Sequence, residues 1–438
     1  VVGRPATSSR VFEPNMDDRT SSGGQLFGVD RRVLALALAR MADAVGNSFL
    51  IIVLPLYVAS EAVGGRIFGV PASMVAGVVL ALFGIASSIA QPLAGRLSDR
   101  AGRRKIFVIG GLVVLGAINL AFAAATAYWH LFVLRVVQGL AAAFTITASL
   151  AIVNELSDAG SRGGNMGVYN SFRLIGFGAG PLLARVLLEM GPFTMPGGAE
   201  VTGFEATFAV AAATAFLGTG LVGVLVQDPE GTAPTERRLA LRVWDRSGSG
   251  WRLDTIFALG VATLIMASCM ALLSAIEPEV NARLGQGPFL FAVEFVALIA
   301  ALAALQPVVG RASDRMGRKW FIVLGLMGLV PTTLLQGVVG APWQMIVVRM
   351  LQGGAGALVF APALALAGDH TEQGQSGAQL AVLTVAFGLG ISSGQLMAGF
   401  FVSFGFIVPF GIGSLLAVGA AVLVGTQVDE AEPAPSAA

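Results

Sequence analysis

A ten-residue motif occurs twice in this chain, and its two copies lie about half the chain apart. Residues 95–104 read GRLSDRAGRR, and residues 310–319 read GRASDRMGRK. A second motif keeps almost the same separation, because RVVQG at 135–139 returns as RMLQG at 349–353. Two unrelated motifs repeated in register indicate two homologous halves. Each copy lies between long apolar stretches, so we predict a repeat of membrane-spanning segments.

The composition is that of a membrane protein. Of the 438 residues, 55% are hydrophobic and 12% are charged, whereas a soluble domain carries about 25% charged residues. The net charge of +1 argues against a general attraction to nucleic acid, so no nucleic-acid partner is expected. A single cysteine, Cys269, forms no disulfide within the chain, and two histidines are too few for a typical metal site.

Twelve apolar stretches are each close to the roughly 20 residues that cross a bilayer as a helix. They fall at 33–59, 71–93, 105–127, 129–153, 166–190, 204–227, 253–276, 288–309, 320–341, 343–367, 378–402 and 405–427. The sequence therefore predicts an all-α membrane protein with six-helix bundles at 32–227 and 253–428. Polar tails at 1–31 and 429–438 and a linker at 228–252 complete the predicted organisation.

Basic residues predict the orientation, because the cytoplasmic loops of membrane proteins are enriched in Lys and Arg. They crowd the N-terminal tail, the linker and both copies of the ten-residue motif, all on one side of the predicted spans. The loops of the opposite side hold only Arg66 and Arg283. Both termini are therefore predicted to be cytoplasmic. The excess of arginine over lysine is compatible with a GC-rich prokaryote, and we expect a prokaryotic plasma (inner) membrane.

The repeated motifs resemble those of the major facilitator superfamily, and the resemblance covers nearly the whole chain. The fifth span resembles the antiporter motif of the twelve-span drug:proton antiporter branch, with Gly167, Gly176, Gly180 and Pro181 in matching positions. It departs from that motif where LLA at 182–184 replaces the usual trailing glycines. The resemblance implies two pseudo-symmetric six-helix bundles that transport a small molecule by alternating access around a site between them.

The ten-residue motif places acids, arginines and glycines at the predicted cytoplasmic ends of helices. Its glycines permit a tight turn, and its aspartates can accept hydrogen bonds from a helix N-terminus. Its arginines can pair with carboxylates, with Glu155 as an extra partner for Arg103. We predict a conformational latch, the alternative being that the basic residues only set topology. The predicted latch residues are Gly95, Asp99, Arg100, Gly102, Arg103, Glu155, Gly310, Asp314, Arg315 and Arg318.

Charged residues within the apolar stretches are costly and are functional candidates by default. Asp43 and Arg173 lie at similar depth and are predicted to pair, with Asp43 taking up and releasing a proton. Glu294 lies level with Arg349 and is predicted to pair with it as a second coupling acid. Arg135 matches the position of the arginine that the family uses in proton transfer. The alternative for each acid is a static ion pair that fixes helix packing.

The sequence says less about which molecule is transported than about how it is transported. The spans offer few amide side chains for a sugar, and the candidate cargo contacts are Asn47, Gln138, Asn170 and Gln395. An apolar cavity with one or two acids suits a hydrophobic or amphipathic compound, cationic ones included. The expected partners are this small molecule, protons and the lipid bilayer. A monomer without a cofactor, driven by the proton gradient, is expected.

Three functions are compatible with these features. Proton-coupled export of amphipathic molecules is favoured by the Gly-Pro motif in the fifth span. A proton-coupled uptake symporter or facilitator for a small polar solute is the alternative. A transporter-like sensor or scaffold is disfavoured, because no large soluble domain is appended. The sequence has no GxxxxGK[ST] loop and no catalytic constellation, so neither an ATP-driven pump nor an enzyme is expected.

Overall fold

The computed structural model describes residues 25–26, 29–60, 63, 69–157, 162–198, 200–228, 243–245, 252–369 and 376–430. Most of the predicted tails and linker lies outside these residues. The helices of the first half are α1 (Arg31–Ala59), α2 (Ala72–Ala101), α3 (Arg104–Ala121), α4 (Tyr128–Glu155), α5 (Arg162–Met190) and α6 (Gly203–Leu225). Those of the second half are α7 (Thr255–Ala271), α8 (Glu277–Leu284), α9 (Pro288–Met316), α10 (Arg318–Gln336), α11 (Pro342–Asp369), α12 (Ser376–Phe401) and α13 (Val408–Gln427).

Short elements connect these helices. Three antiparallel hairpins pair β1 (Gln25–Leu26) with β2 (Val29–Asp30), β3 (Phe193–Thr194) with β4 (Glu200–Val201), and β5 (Trp244–Asp245) with β6 (Arg252–Leu253). Turns of 3-10 helix follow α3, α7 and α12, at Phe122–Ala124, Leu272–Ala275 and Val402–Phe404. Within the described residues, twelve helices are long and apolar enough to cross a membrane, and eight-residue α8 is the exception. The predicted twelve-span, all-α architecture is confirmed.

The helices that carry the ten-residue motif extend further than the apolar stretches predict. Because α2 ends at Ala101 and α9 at Met316, Gly95 and Gly310 are helical, and the prediction that all glycines of the motif form a turn is wrong. Within the two copies of the motif, only Gly102 (φ 61°) and Gly317 (φ 95°) have a positive φ, where another residue would be strained. We call the side that carries these turns the motif face, and the opposite side, which carries α8 and the β3–β4 hairpin, the α8 face.

The second repeated motif places a glycine where two helices cross closely in each half. A Cβ atom added to Gly139 of α4 would lie 2.4 Å from the Phe83 carbonyl oxygen of α2. A Cβ atom added to Gly353 of α11 would lie 2.3 Å from the Leu298 carbonyl oxygen of α9. Small residues allow membrane helices to approach this closely. The repeat in the sequence is therefore also a repeat of helix packing.

Helices α2 and α12 join the two halves near the α8 face. A Cβ atom added to Gly77 would lie 2.7 Å from the Gln395 carbonyl oxygen, and one added to Gly84 would lie 2.2 Å from Ser392 Oγ. Gly95 lies about three turns further along the same face of α2. A Cβ atom there would have no described atom within 4 Å.

Helices α5 and α9 join the halves on the other side of the interface. The rings of Phe177 and Phe295 lie 5.7 Å apart between centroids, and Gly178 faces Ile299. Gly310, three turns beyond Ile299 on α9, has no described atom within 4 Å of an added Cβ. The described contacts between the halves therefore close the α8 face, and at Gly95 and Gly310, toward the motif face, the described residues make no such contact.

Candidate functional site

A buried arginine in α4 organises a polar network in the first half. Arg135 donates to the carbonyl oxygens of Val79 at 3.0 Å and Leu80 at 3.2 Å, both in α2. It also donates to Gln138 Oε1 at 2.6 Å. The guanidinium lies 4.7 Å from the ring centroid of Phe83, which adds a cation–π contact. Arg135 is thus held by α2 and by its own helix, without a carboxylate partner among these contacts.

Gln138 belongs to this network and not to an accessible surface. Its Nε2 donates to Asn119 Oδ1 at 2.8 Å, and Asn119 Nδ2 donates to the Ala211 carbonyl oxygen at 3.2 Å. The side chain of Gln138 is buried. This placement corrects the assignment of Gln138 as a cargo contact, because its amide joins α4 to α3.

The second half repeats the Arg-x-x-Gln network with a different backbone partner. Arg349 of α11 donates to the Met270 carbonyl oxygen at 3.0 Å and to Gln352 Oε1 at 2.7 Å. Gln352 Nε2 donates to the Cys269 carbonyl oxygen at 3.1 Å and to Thr333 Oγ1 at 3.3 Å. The arginine therefore bonds to α7, whereas Arg135 bonds to α2. Because Arg349 bonds to α7, it does not occupy the face of α9 that corresponds to the Arg135-binding face of α2. That face of α9 can therefore carry an acid.

That acid is Glu294, which lies about two turns into α9. It is 1% exposed, and neither of its carboxylate oxygens accepts a hydrogen bond from a described residue. Arg349 acts on it electrostatically, but the Arg349 side chain donates to Met270 and Gln352 instead. The predicted Glu294–Arg349 interaction is therefore electrostatic and lacks a hydrogen bond. A buried carboxylate in this situation is costly in its ionised form.

Asp43 has a different partner from the one predicted. It forms an ion pair with Arg40, three residues earlier on α1, and its side chain is buried. Arg173 of α5 donates instead to Asn170 Oδ1 at 3.0 Å. The predicted Asp43–Arg173 pair is wrong because Arg40 lies on the same helix face as Asp43. The spacing of three residues between Arg40 and Asp43 is the sequence signal that identifies this pair.

The latch of the first half is centred on Arg104. This residue opens α3 and bonds to Asp99 Oδ1 of α2 at 2.9 Å and to Glu155 of α4. Only 7% of the Arg104 side chain is exposed. The predicted Arg103–Glu155 pair is therefore wrong, because Arg103 precedes the helix and is exposed. Arg104 ties three helices of one half together at the motif face.

The latch of the second half is local and more exposed. Arg318 Nη2 lies 2.8 Å from Asp314 Oδ1, four residues earlier in the chain, and half of the Asp314 side chain is exposed. Exposed ion pairs of this kind contribute about 1 kcal/mol or less. The two copies of the motif are thus unequal in their contacts. Arg100 and Arg315 lie in the last turns of α2 and α9 and take no part in these pairs.

Two acids cap the helices that follow the motif. Asp228, just after α6, accepts from the Lys105 backbone N–H at 2.7 Å. Glu430, just after α13, accepts from the backbone N–H groups of Arg318 at 2.6 Å and Lys319 at 2.9 Å. Negative charge is stabilising at a helix N-terminus. Each half thus fastens its last helix to the turn of its own motif, a role for which the sequence analysis named neither acid.

The antiporter-like motif of α5 is a packing surface against α1. A Cβ atom added to Gly176 would lie 2.4 Å from the Met41 carbonyl oxygen, and one added to Gly180 would lie 1.9 Å from Ser48 Oγ. Pro181 follows within the helix. Gly167 differs, because a Cβ there has no described atom within 4 Å. The motif therefore brings α5 and α1 into close contact at Gly176 and Gly180.

Both halves of the chain match the sequence model of a known protein family. A sequence model of the Major Facilitator Superfamily matches residues 36–269 and 258–438. The chain belongs to the Major Facilitator Superfamily. It is a multi-pass integral membrane transporter and not an enzyme.

Relatives of this superfamily member include proteins with a multidrug-resistance name. "Multidrug resistance protein MdtG" from Salmonella choleraesuis (strain SC-B67) is 26% identical over 327 residues, which cover 73% of this chain and 76% of the relative. The protein of the same name from Salmonella typhi has the same identity and coverage. The similarity spans both halves of a transporter, at an identity that leaves the cargo open.

Solved structures of the superfamily have the same fold. A peptide transporter, POT, aligns with a TM-score of 0.73 and 14% identity over 92% of this chain and 95% of its own. The human organic anion transporter MFSD10 (TETRAN) aligns with a TM-score of 0.66 and 19% identity over 90% of this chain and 99% of its own. At these identities the likeness shows the fold alone.

The remaining candidate cargo contacts of the transporter differ in availability. Asn47 of α1 is half-buried, and its Oδ1 has no hydrogen-bond partner among the described residues. Gln395 of α12 is buried with its Oε1 similarly unpartnered. Asn170 already accepts from Arg173. Asn47 and Gln395 therefore retain acceptor capacity, whereas Asn170 is engaged in the first half.

The α5 packing surface of the transporter gives a testable contrast within one motif. Gly176→Ala is expected to destabilise the protein by about 1–3 kcal/mol, because the added methyl group meets the α1 backbone. Gly167→Ala is expected to leave stability unchanged or to raise it by about 0.5–1 kcal/mol, since helical glycine is unfavourable where space is free. Thermal unfolding in detergent measures both variants. Equal midpoints for the two would contradict the packing role.

Proposed function

We propose that the transporter is a proton-coupled exporter of hydrophobic or amphipathic molecules that works by alternating access. The environment of the Glu294 side chain is the main support for the proposal. Its carboxyl group is buried, accepts no hydrogen bond from the described residues and lies in the field of Arg349. A buried acid in this setting changes its protonation when its access to water or its distance from the arginine changes. Movement of the halves is thereby linked to proton uptake and release.

Asp43 is the second coupling acid in this proposal. It forms an ion pair with Arg40 in the state described here, and Arg40 also acts electrostatically on Arg173. Protonation of Asp43 would leave Arg40 and Arg173 facing each other without a compensating acid. Like charges that are brought together in a membrane interior repel strongly, so this change favours a rearrangement of α1 against α5.

The orientation in the proposal places the motif face in the cytoplasm of a prokaryotic cell, with both termini on that side. The distribution of basic residues supports it, because the motif face carries Arg96, Arg100, Arg103, Arg311 and Arg315. The structure then corresponds to a state closed toward the outside. Cargo enters from the motif face and leaves when the contacts of α2 with α12 and of α5 with α9 break.

The class of cargo follows from the side chains between the halves and from the relatives. Phe177 and Phe295 meet across the interface, and the tilted rings of Phe360 and Phe387 lie 5.2 Å apart between centroids within the second half. Apolar walls with a few polar groups favour amphipathic ligands. The multidrug-resistance name of the relatives supports the same class. An uptake symporter or facilitator for a small polar solute is the second candidate, favoured by the unpartnered amide oxygens of Asn47 and Gln395.

A flux screen in proteoliposomes tests this proposal. An imposed pH gradient should drive accumulation of tetraphenylphosphonium or an uncharged aromatic compound of similar size, in exchange for protons. A dipeptide and a hexose represent the polar solutes of the second candidate. Accumulation of a polar solute together with protons, and of none of the aromatic compounds, would refute the export proposal. Empty liposomes and liposomes with the Glu294→Gln variant are the controls.

A further inference from the structure

The short helix α8 closes the α8 face by reaching from the second half to the first. Val280 and Leu284 of α8 are buried in one apolar cluster with Leu50 of α1 and Val75 of α2. The 3-10 turn before α8 contributes Leu272 and other residues to the same cluster. The burial of α8 therefore depends on the two halves being together at this face.

A buried acid outside the twelve spans lies at the start of α8. Glu277 is completely buried; its Oε1 accepts from Asn281 Nδ2 at 3.4 Å, and its Oε2 has no partner among the described residues. Burial raises the pKa of Glu277 well above its ordinary value of 4.5, and the hydrogen bond from Asn281 and the charge of Arg185 oppose that rise in pKa. The nearby charge of Glu294 raises the pKa further.

The charged groups that act on Glu277 come from both halves. Arg185 is on α5 of the first half, where it also pairs with Glu189 at 2.7 Å. Glu294 is on α9 of the second half, where Arg349 acts on it electrostatically. Half-buried Glu279, two residues further along α8, is the other acid of this helix. Separation of the halves would therefore have two effects on Glu277. It would move the positive charge of Arg185 away from the carboxylate, and it would admit water to it.

A line of amide side chains leads from Glu277 toward Glu294. Asn281 Nδ2 donates to Glu277, and Gln286 Nε2 donates to Asn281 Oδ1 at 3.2 Å. Gln286 also acts on the Glu294 side chain, and its Oε1 is buried without a partner among the described residues. Two buried acids with unpartnered oxygens thus lie at the ends of one line of polar side chains, and the amide residues between them, Asn281 and Gln286, are half-buried.

We propose that Glu277 is a proton-binding site that locks the α8 face, so that this face closes only when Glu277 has taken up a proton. This inference rests on the proposed proton coupling, and it identifies Glu277 as the residue at which the proton enters. In the open state, water surrounds Glu277, which releases its proton to a water molecule. In the closed state the proton stays on the carboxyl oxygen, because an ionised carboxylate without water or a paired cation is costly there.

The direction of the pH dependence follows from linkage. Glu277 has the higher pKa in the closed state, so closure takes up a proton and is favoured at low pH. The stabilisation of the closed state by this proton is fully present at pH values below the ordinary glutamate pKa of 4.5. It is lost as the pH rises through the higher pKa that Glu277 has in the closed state. One proton changes the ratio of closed to open molecules by at most about tenfold per pH unit.

A distance measurement across the α8 face tests the lock without any cargo. Spin labels at Met190→Cys and Trp343→Cys report from exposed sites on α5 and α11, one in each half, and buried Cys269 stays in place. In the doubly labelled protein with Glu277 unchanged, the α8 face should change from closed to open as the pH rises from 5 to 9. Glu277→Gln is permanently neutral and should stay closed at pH 9. A wild-type pH profile in Glu277→Gln would overturn the proposal.

Two further variants complete the test, one that should shift the pH of closure and one that should leave it unchanged. Arg185→Gln removes the cation that opposes protonation of Glu277, and its closing midpoint should move to higher pH; an unmoved midpoint would count against the lock. Glu200→Gln, in the β3–β4 hairpin on the same face, is exposed and should match the wild type. Failure of cargo-driven proton flux with an intact pH-dependent closure would refute the proposed function and leave the lock standing.

Discussion

Glu294→Gln is expected to abolish the accumulation of cargo that a proton gradient drives. A gradient of two pH units stores about 2.7 kcal/mol per proton, enough for roughly a hundredfold concentration ratio of cargo when one proton is exchanged. The amide retains the size of the side chain but cannot exchange a proton with water. The ratio should therefore fall to about one, while exchange of labelled for unlabelled cargo across the membrane continues. Accumulation and exchange are measured on the same proteoliposomes.

The matched control for this prediction is Glu200→Gln, which removes an exposed acid outside the helices. It should retain the full accumulation ratio. If Glu294→Gln also retained it, Glu294 would be a structural acid, and Asp43 would become the remaining acid of the proposal. If the variant lost exchange as well as accumulation, the side chain would be needed for cargo movement and not specifically for coupling.

Arg104→Gln is expected to lower the stability of the first half by on the order of 3 kcal/mol. The substitution removes the cation between Asp99 and Glu155 and leaves two acids near each other at the motif face. Removal of one member of a buried ion pair costs about 3–5 kcal/mol, because the remaining charge is uncompensated. The lower end applies here, since a quarter of the Glu155 side chain is exposed. Thermal unfolding in detergent is the measurement.

The chain offers two controls for the Arg104 variant. Arg103→Gln, at an exposed position, and Arg318→Gln, in the exposed latch of the second half, should each change stability by about 1 kcal/mol or less. A loss in Arg103→Gln as large as that in Arg104→Gln would show that the charge of the segment matters and that the geometry of Arg104 does not.

The sequence was sufficient for the architecture because that property depends on patterns that extend over many residues. Apolar stretches of spanning length and two motifs in register predict twelve helices in two related halves, and the structure has them. The close packing at Gly176 and Gly180 was also predictable, because small residues four apart define one helix face. The ends of the helices were not, since the polar motif continues α2 to Ala101 without an apolar signal.

The partners of the charged residues were harder to predict, because pairing depends on which helix face each residue occupies. Asp43 pairs with Arg40 on its own helix, and Arg104 takes the place assigned to Arg103 because α3 begins at Arg104. Glu277 lies between two predicted spans, where an acid is usually hydrated. Its burial arises only because α8 packs against the first half, a contact that no local pattern indicates.

Proton movement driven by a cargo gradient is the most direct test of proton-coupled export. Proteoliposomes are loaded with the compound that the flux screen identifies and are diluted into cargo-free buffer at equal pH, with a pH-sensitive dye in the lumen. Cargo leaving in exchange for protons should acidify the lumen, and Glu294→Gln should abolish the signal. Alkalinisation of the lumen would indicate symport, and cargo efflux without any pH change would indicate a facilitator; either result would contradict the account.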